Sequence, residues 1–295
     1  MTQRPFGQTF TFKLSGSRSW LSLGSGWAAV AGALAAGIPG WTWANLLLVV
    51  GLWLLVDPIL GTLWHLAVQQ RLWRRVTRAA LPQPQPAGRG FFLPYAQPDS
   101  TAGQLVILVR RYQVWWQAYY WPEFGGQVVT FGVGLLLALT IGLALNPSVF
   151  WLVVVATSLI LIAGQSSTRL STRGGGRLPS IVQLLLPWLM GAALWSSLSL
   201  FPVVLALCFS ISYLGGLRIL GAHHRAEWLF FGGQIAALSL LLGLRLLPGV
   251  AVMTLSLTSI WLIKSRFDLP AVWLAKAQPY LVVSMLTAGV AVGSL

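Results

Sequence analysis

Two ionisable residues, Asp57 and His65, lie in the second apolar stretch of the chain, within the sequence DPILGTLWH. An ionisable side chain at membrane depth is costly to bury without a partner and by default marks a functional site. Asp57 precedes Pro58, which favours a kink residue whose carboxylate pairs with a freed backbone N–H or with an arginine of another helix. The alternative is a role in proton or ligand binding. His65 is either a hydrogen-bonded residue near the membrane surface or a ligand of chlorophyll magnesium or haem iron.

The other candidates for ligand binding are basic residues. The whole chain has only five carboxylates, so an acidic site is not expected. A mouth that could hold a diphosphate or a lipid phosphate without metal is predicted where the second and sixth apolar stretches end. Its predicted residues are His65, Arg71, Arg74, Arg218, His223, His224 and Arg225. The single cysteine, Cys208, excludes a disulfide within the chain. No Ser/His/Asp, CxxC or HExxH pattern occurs, and no metal site is predicted.

The elements that must position these residues are transmembrane helices. The chain is 56% hydrophobic and only 8% charged, whereas soluble domains carry about 25% charged residues. This composition indicates an integral membrane protein. The net charge of +14 is spread in short groups between apolar stretches, which is the pattern of membrane topology and not of nucleic-acid binding. Anionic lipid headgroups are the expected partners of these groups.

Nine apolar stretches are near the ~20 residues needed to cross the hydrocarbon. With the N-terminus cytoplasmic, every one of the 19 basic residues except Arg245 falls on the cytoplasmic side. This asymmetry predicts an all-α, polytopic protein with its C-terminus outside, as a single domain over residues 1–295. Recurrent small residues, in 26–37 and at the pairs Gly132/Gly134, Gly215/Gly216 and Gly232/Gly233, predict close helix contacts. The predicted spans are 20–38, 43–66, 127–145, 149–164, 181–200, 202–220, 228–245, 249–264 and 278–294.

The longest connection, at about 67–126, contains an aromatic-rich segment over residues 105–121. This segment is too short and too polar to span, and Trp and Tyr favour the headgroup level, so an interfacial helix is predicted. It is either a membrane-anchored loop without a specific function or a surface that docks another subunit or a pigment. The docking residues would be Trp115, Trp116, Tyr119, Tyr120 and Trp121.

The layout resembles the UbiA superfamily of intramembrane prenyltransferases, with nine helices and large cytoplasmic loops after helices 2 and 6. The stretch RLWRRVTRAALP at 71–82 resembles the basic segment that follows the family's first motif, and AKAQPYL at 275–281 resembles the polar start of its last helix. The resemblance implies a UbiA-like bundle and prenyl transfer from a diphosphate held by Mg²⁺ on two Asp-rich motifs.

The chain departs from the family at those motifs. Trp64, His65, Val68 and Leu72 stand where the first motif has an asparagine and three aspartates, and the second region retains only Glu227. Too few carboxylates remain to hold two magnesium ions.

The sequence therefore predicts a non-catalytic, UbiA-like subunit in a bacterial inner membrane. It would bind an isoprenoid, a quinone, a carotenoid or a chlorophyll-type pigment, within a membrane complex of the respiratory or photosynthetic kind. The alternative is a divergent prenyltransferase that uses Asp57, Glu227 and Mg²⁺ to move a prenyl group to an aromatic or pigment acceptor. A transporter is disfavoured, because a charged pathway across the membrane is missing.

Overall fold

The computed structural model describes residues 24–40, 42–69, 101–117, 121–165, 177–195, 199–221 and 226–295. These residues form ten helices and contain no strand, so the predicted all-α class is confirmed. Helices α2 and α6 include π-helical segments, and two π-helical residues follow α3. The helices are α1 (Ser25–Ala35), α2 (Trp43–Leu54, Leu55–Leu60, Gly61–Trp64 and His65–Gln69), α3 (Thr101–Trp115), α4 (Trp121–Leu145), α5 (Pro147–Gln165), α6 (Arg177–Ser180, Ile181–Leu185 and Leu186–Ala192), α7 (Leu200–Leu220), α8 (Glu227–Gly243), α9 (Leu247–Arg266) and α10 (Pro270–Gly293).

Five of the described helices are long and apolar enough to cross a membrane, which indicates a membrane-embedded protein. They lie in α2, α4, α5, α7 and α9. Two further apolar helices, α1 and α8, are shorter. The candidate spans are Trp43–Val68, Phe124–Leu145, Pro147–Gly164, Leu200–Leu220 and Leu247–Arg266.

Several helix ends differ from the predicted spans. The described part of the predicted span 20–38 is helical only over the 11 residues of α1, because Gly24 is extended and Gly37 has a φ of 75°. The helix predicted over 181–200 ends at Ala192, and a turn follows. Conversely, α10 begins at Pro270 instead of 278, since proline is favoured in the first helical turn. Hydropathy locates apolar stretches but does not register these backbone signals.

Helices α1 and α6 form the centre of the bundle, and each contributes to two apolar cores. On one side they pack with α2, α4 and α5. On the other side they pack with α7, α8, α9 and α10. The two halves of the described bundle therefore meet along the α1–α6 contact.

The contact between α1 and α6 is made by backbone atoms. A Cβ atom added at Gly32 would overlap the backbone carbonyl of Trp188, and one added at Gly191 would overlap the backbone carbonyl of Ala29. In lipid, where helices gain little from the hydrophobic effect, such close approach supplies van der Waals contact. The predicted role of the small residues is therefore confirmed here, and also at Gly215, which lies against the backbone of Phe230 in α8. In the other two pairs the close contact is made by Gly134, against the Leu63 side chain, and by Gly233, against the backbone of α7, whereas Gly132 and Gly232 have no neighbour within 4 Å of an added Cβ.

Replacing Gly32 by alanine should destabilise the bundle, because the new methyl group has no space without a shift of α6. We expect a loss of about 1–3 kcal/mol in the free energy of unfolding, the usual cost of overpacking. Denaturant unfolding in detergent micelles measures it. The matched control is Gly232→Ala, also within a helix but in open space, which should be neutral or up to about 1 kcal/mol more stable. Equal unfolding midpoints for the two variants would contradict the close backbone contact between α1 and α6.

Candidate ligand site

Three π-helical segments lie around one cavity. Two of them, Leu55–Leu60 and His65–Gln69, belong to α2, and the third, Ile181–Leu185, belongs to α6. π-Helical turns are rare and occur frequently at functional sites. Pro58 accounts for the first, since proline has no N–H and clashes with the preceding turn. Its own carbonyl accepts a hydrogen bond from the Thr62 hydroxyl at 2.5 Å.

The cavity has a volume of about 300 Å³ and lies between the start of α1, the middle of α2, the start of α6 and α7. Asp57 and His65 both line it, so one cavity holds both ionisable residues of the second apolar stretch. Fourteen described residues form its wall, and most of the others are apolar. The polar residues of the wall are Ser25, Asp57, Thr62, His65, Gln183 and Tyr213.

Asp57 caps a helix other than its own. The Ser25 hydroxyl donates a hydrogen bond to Asp57 Oδ1 at 3.4 Å, and the backbone N–H of Gly26 interacts favourably with the same carboxylate. Ser25 and Gly26 are the first two residues of α1, where backbone N–H groups have no partner within the helix. A carboxylate at this end offers an acceptor to the Gly26 N–H and complements the positive end of the helix dipole. The predicted pairing with a backbone N–H was therefore of the right kind, but the N–H belongs to α1.

The start of α1 lies beside the middle of α2 and is partly buried. Ser25 contacts Val56 and Asp57, near the middle of a helix long enough to span the membrane. The 11 residues of α1 extend over about 16 Å at 1.5 Å per residue, roughly half of a ~30 Å hydrocarbon core. A helix that starts at this depth needs protein groups for its N–H donors, because lipid offers none.

A hydrogen bond between side chains joins α6 to α7 at the cavity wall. The buried Tyr213 hydroxyl donates to Gln183 Oε1 at 2.8 Å. Tyr213 and Leu184 also line a second cavity of about 20 Å³, together with Ser212 and Gln234. This space is enough for about one water molecule. Gln234 Nε2 donates to Ser212 Oγ at 3.0 Å, so polar groups continue from the larger cavity towards α8.

The residues expected for metal chemistry do not come together. Glu227 forms a hydrogen-bonded ion pair with Lys264, which also lies 5.4 Å from the centre of the Phe231 ring. Glu227 is not among the described residues that line the cavity with Asp57. Within the described ranges, no group of three His, Cys, Asp or Glu side chains could hold a metal ion.

The predicted basic mouth is described only in part. Arg218 is half-buried near the end of α7 and does not contribute to the described cavity wall. The other predicted basic and histidine residues lie outside the described part of the chain, His65 excepted. These are Arg71, Arg74, His223, His224 and Arg225.

The described part of the aromatic segment, residues 105–117 and 121, is helical, as predicted. Trp116 and Trp121 are about half exposed, whereas Trp115 is buried. Tyr119 and Tyr120 lie outside the described residues. Most exposed apolar side chains of α3 and the residue after it lie on one face, as on a helix in a membrane interface, while exposed Val114 lies on the opposite face. The residues of the shared face are Leu105, Leu108, Val109, Tyr112 and Trp116.

Sequence reasoning missed Ser25, Gln183 and Tyr213. Each is an uncharged polar residue inside an apolar stretch, so neither charge nor a motif set it apart. Gln183, a lone amide in the predicted span 181–200, was the strongest available signal.

Comparison with protein-family models, with curated proteins and with solved structures finds no match for this chain.

Two substitutions of Asp57 should separate capping from charge. Asp57→Ala removes the acceptor and should lower the free energy of unfolding by about 0.5–2 kcal/mol, the usual cost of losing a helix cap. Asp57→Asn keeps a carbonyl oxygen for Ser25 and Gly26 and should cost less than half as much, since Asn caps about as well as Asp. Thermal unfolding in micelles measures both. Equal losses for the two variants would show that the negative charge, and not the cap, stabilises α1.

Proposed function

We propose that this chain is an integral membrane protein that binds a small amphipathic molecule in the cavity between α2 and α6, without catalysing a reaction of its own. The observation that carries the proposal is that Asp57 and His65 line one cavity. Two ionisable residues in a long apolar helix are costly unless they serve a site. The three π-helical segments at the same place support it.

The size of the cavity favours some ligands over others. About 300 Å³ is at the lower end of the roughly 300–1,000 Å³ range of ligand pockets. It suits a single ring, such as the head of a quinone, or the polar end of an isoprenoid whose chain continues between helices. A carotenoid or a chlorophyll-type pigment would fit only in part, and His65 would then be its contact on this wall.

The membrane arrangement we propose is the UbiA-like bundle of nine spans, with the N-terminus cytoplasmic, in a bacterial inner membrane. The charge asymmetry of the sequence supports the orientation. Trp228 and Trp261, 84% and 60% exposed, lie towards the Glu227–Lys264 end of the α8–α9 hairpin and suit the headgroup level there. The exposed apolar face of α3 would lie along the cytoplasmic interface, with a further subunit of a membrane complex as the partner of Trp116 and Trp121.

Labelling of single introduced cysteines, in a Cys208→Ser background, tests this topology. Cysteines at Asn146, Arg245 and Ser294 should react with an impermeant maleimide in intact cells. A cysteine at Asp268 should react only after permeabilisation, because α9 and α10 both reach the cytoplasmic side there. Labelling of positions 245 and 268 from the same side, or protection of 294 in intact cells, would exclude the nine-span arrangement.

A divergent prenyltransferase is the alternative. Asp57 at a cavity favours it, but the second carboxylate that it requires, Glu227, is paired with Lys264. Sustained magnesium-dependent release of diphosphate from geranylgeranyl diphosphate, abolished by Asp57→Asn, would establish this alternative and refute the non-catalytic proposal.

Filling the cavity tests the binding proposal directly. Gly61 lines the cavity, and an added Cβ there meets no atom within 4 Å. Gly61→Leu should therefore occupy the site without moving a helix. Mass spectrometry of extracts from purified protein should find a lipophilic molecule that is retained by the wild type and lost from Gly61→Leu. Gly232→Leu, in open space on α8, is the matched control and should retain it. Identical extracts from all three proteins would argue against a ligand in this cavity.

A further inference from the structure

We propose that the molecule held in the α2–α6 cavity presents a hydrogen-bond donor, and no negative charge, to Asp57. The inference rests on the proposed function and names the chemistry of the ligand's polar end. A hydroxyl group, as in a prenyl alcohol or a quinol, and a protonated amine share this chemistry. A diphosphate, a lipid phosphate and a carboxylate do not.

The charge of the described wall is opposite to that of the chain. The chain has 19 basic and 5 acidic residues. Yet the fourteen described wall residues include one carboxylate, that of Asp57, and neither lysine nor arginine. Two like charges in an apolar cavity repel strongly, because the low dielectric screens them little. An anionic head placed against this wall would meet Asp57, and His65 is the only ionisable base among the described wall residues.

The position that would attract an anion is already taken. The N-terminus of a helix inside a membrane protein commonly binds an anionic group of a substrate. In this chain the N-terminus of α1 faces the cavity through Gly24 and Ser25, and Asp57 accepts the donors of Ser25 and Gly26. A ligand anion would have to displace the protein's own carboxylate.

At Asp57 the positions that remain for a ligand are acceptors, whereas the Gln183 side-chain NH2 group is a donor elsewhere on the wall. A carboxylate has about four acceptor positions, and the described donors to Asp57 are the hydroxyl of Ser25 and the backbone of Gly26. The hydrogen of the Tyr213 hydroxyl is directed to Gln183, which leaves the phenol oxygen as an acceptor. Leu60, Trp64 and Leu184 supply apolar wall for the body of the molecule. The cavity thus matches an apolar molecule whose polar end donates.

Four probes with one tail and different heads test this inference. They are geranylgeraniol, geranylgeranylamine, the methyl ether of geranylgeraniol and geranylgeranyl diphosphate, each titrated into the full chain in phosphatidylcholine nanodiscs. The alcohol and the amine should bind at least about tenfold more tightly than the ether and the diphosphate, the usual effect of a hydrogen bond to a buried charged group. A preference for the amine over the alcohol would identify a cationic head, and the reverse a neutral one.

Variants assign the preference to Asp57. In Asp57→Asn, which keeps an acceptor for α1, the advantage over the diphosphate should shrink to a few-fold. Asp268→Asn removes an exposed carboxylate between α9 and α10 and should leave the preference intact. Tighter binding of the diphosphate, equal binding of ether and alcohol, or a preference that survives Asp57→Asn would overturn the inference.

The two proposals can fail separately. If none of the probes binds while Gly61→Leu still removes a co-purified molecule, the donor inference is wrong and the binding proposal stands. If no probe binds and no molecule co-purifies, both are wrong.

Discussion

A helix that begins inside an apolar bundle carries backbone N–H groups that lipid cannot satisfy, and this constraint organises the centre of the molecule. Here α1 begins beside the middle of α2, and Asp57 supplies the acceptor. The carboxylate is costly to bury by itself, and the helix end is costly to bury by itself; together they offset each other. The cavity follows from the same arrangement, because Gly24 and Ser25, at the start of α1, form part of its wall.

The second constraint is the close contact of α1 with α6. Gly32 and Gly191 allow the two backbones to touch, which fixes the depth of α1 relative to the π-helical segment Ile181–Leu185. The position of that segment places Gln183 opposite Asp57, where it meets Tyr213 from the other half of the bundle. The cavity is therefore formed by residues from both halves of the bundle. Its geometry depends on the contact at Gly32 and Gly191, although neither glycine lines the cavity.

Much of this could be read from the sequence, for physical reasons. Long apolar stretches dictate helices in lipid, and Asp57 and His65 were evident as ionisable residues within one of them. The partner of Asp57 was not evident, because Ser25 lies on another helix and reaches it only through interhelical packing. Likewise α1 is shorter than its apolar stretch. The helix starts only after the extended residue Gly24, although the apolar stretch begins before it. Gln183 and Tyr213 carry no charge, so only their position in space connects them with the site.

The backbone contact at Gly32 and Gly191 implies an uneven tolerance of sequence change during evolution. Exposed leucines such as Leu136 and Leu255 meet no fixed surface within the protein, so other apolar residues can replace them freely. At Gly32 and Gly191 the neighbouring atoms belong to the backbone of the other helix, so no side chain can change its rotamer to make room for a larger residue. A larger residue at position 32 would survive only after α6 had moved. Relatives that retain this bundle should therefore drift rapidly over their lipid-facing surface while two small residues persist at its centre.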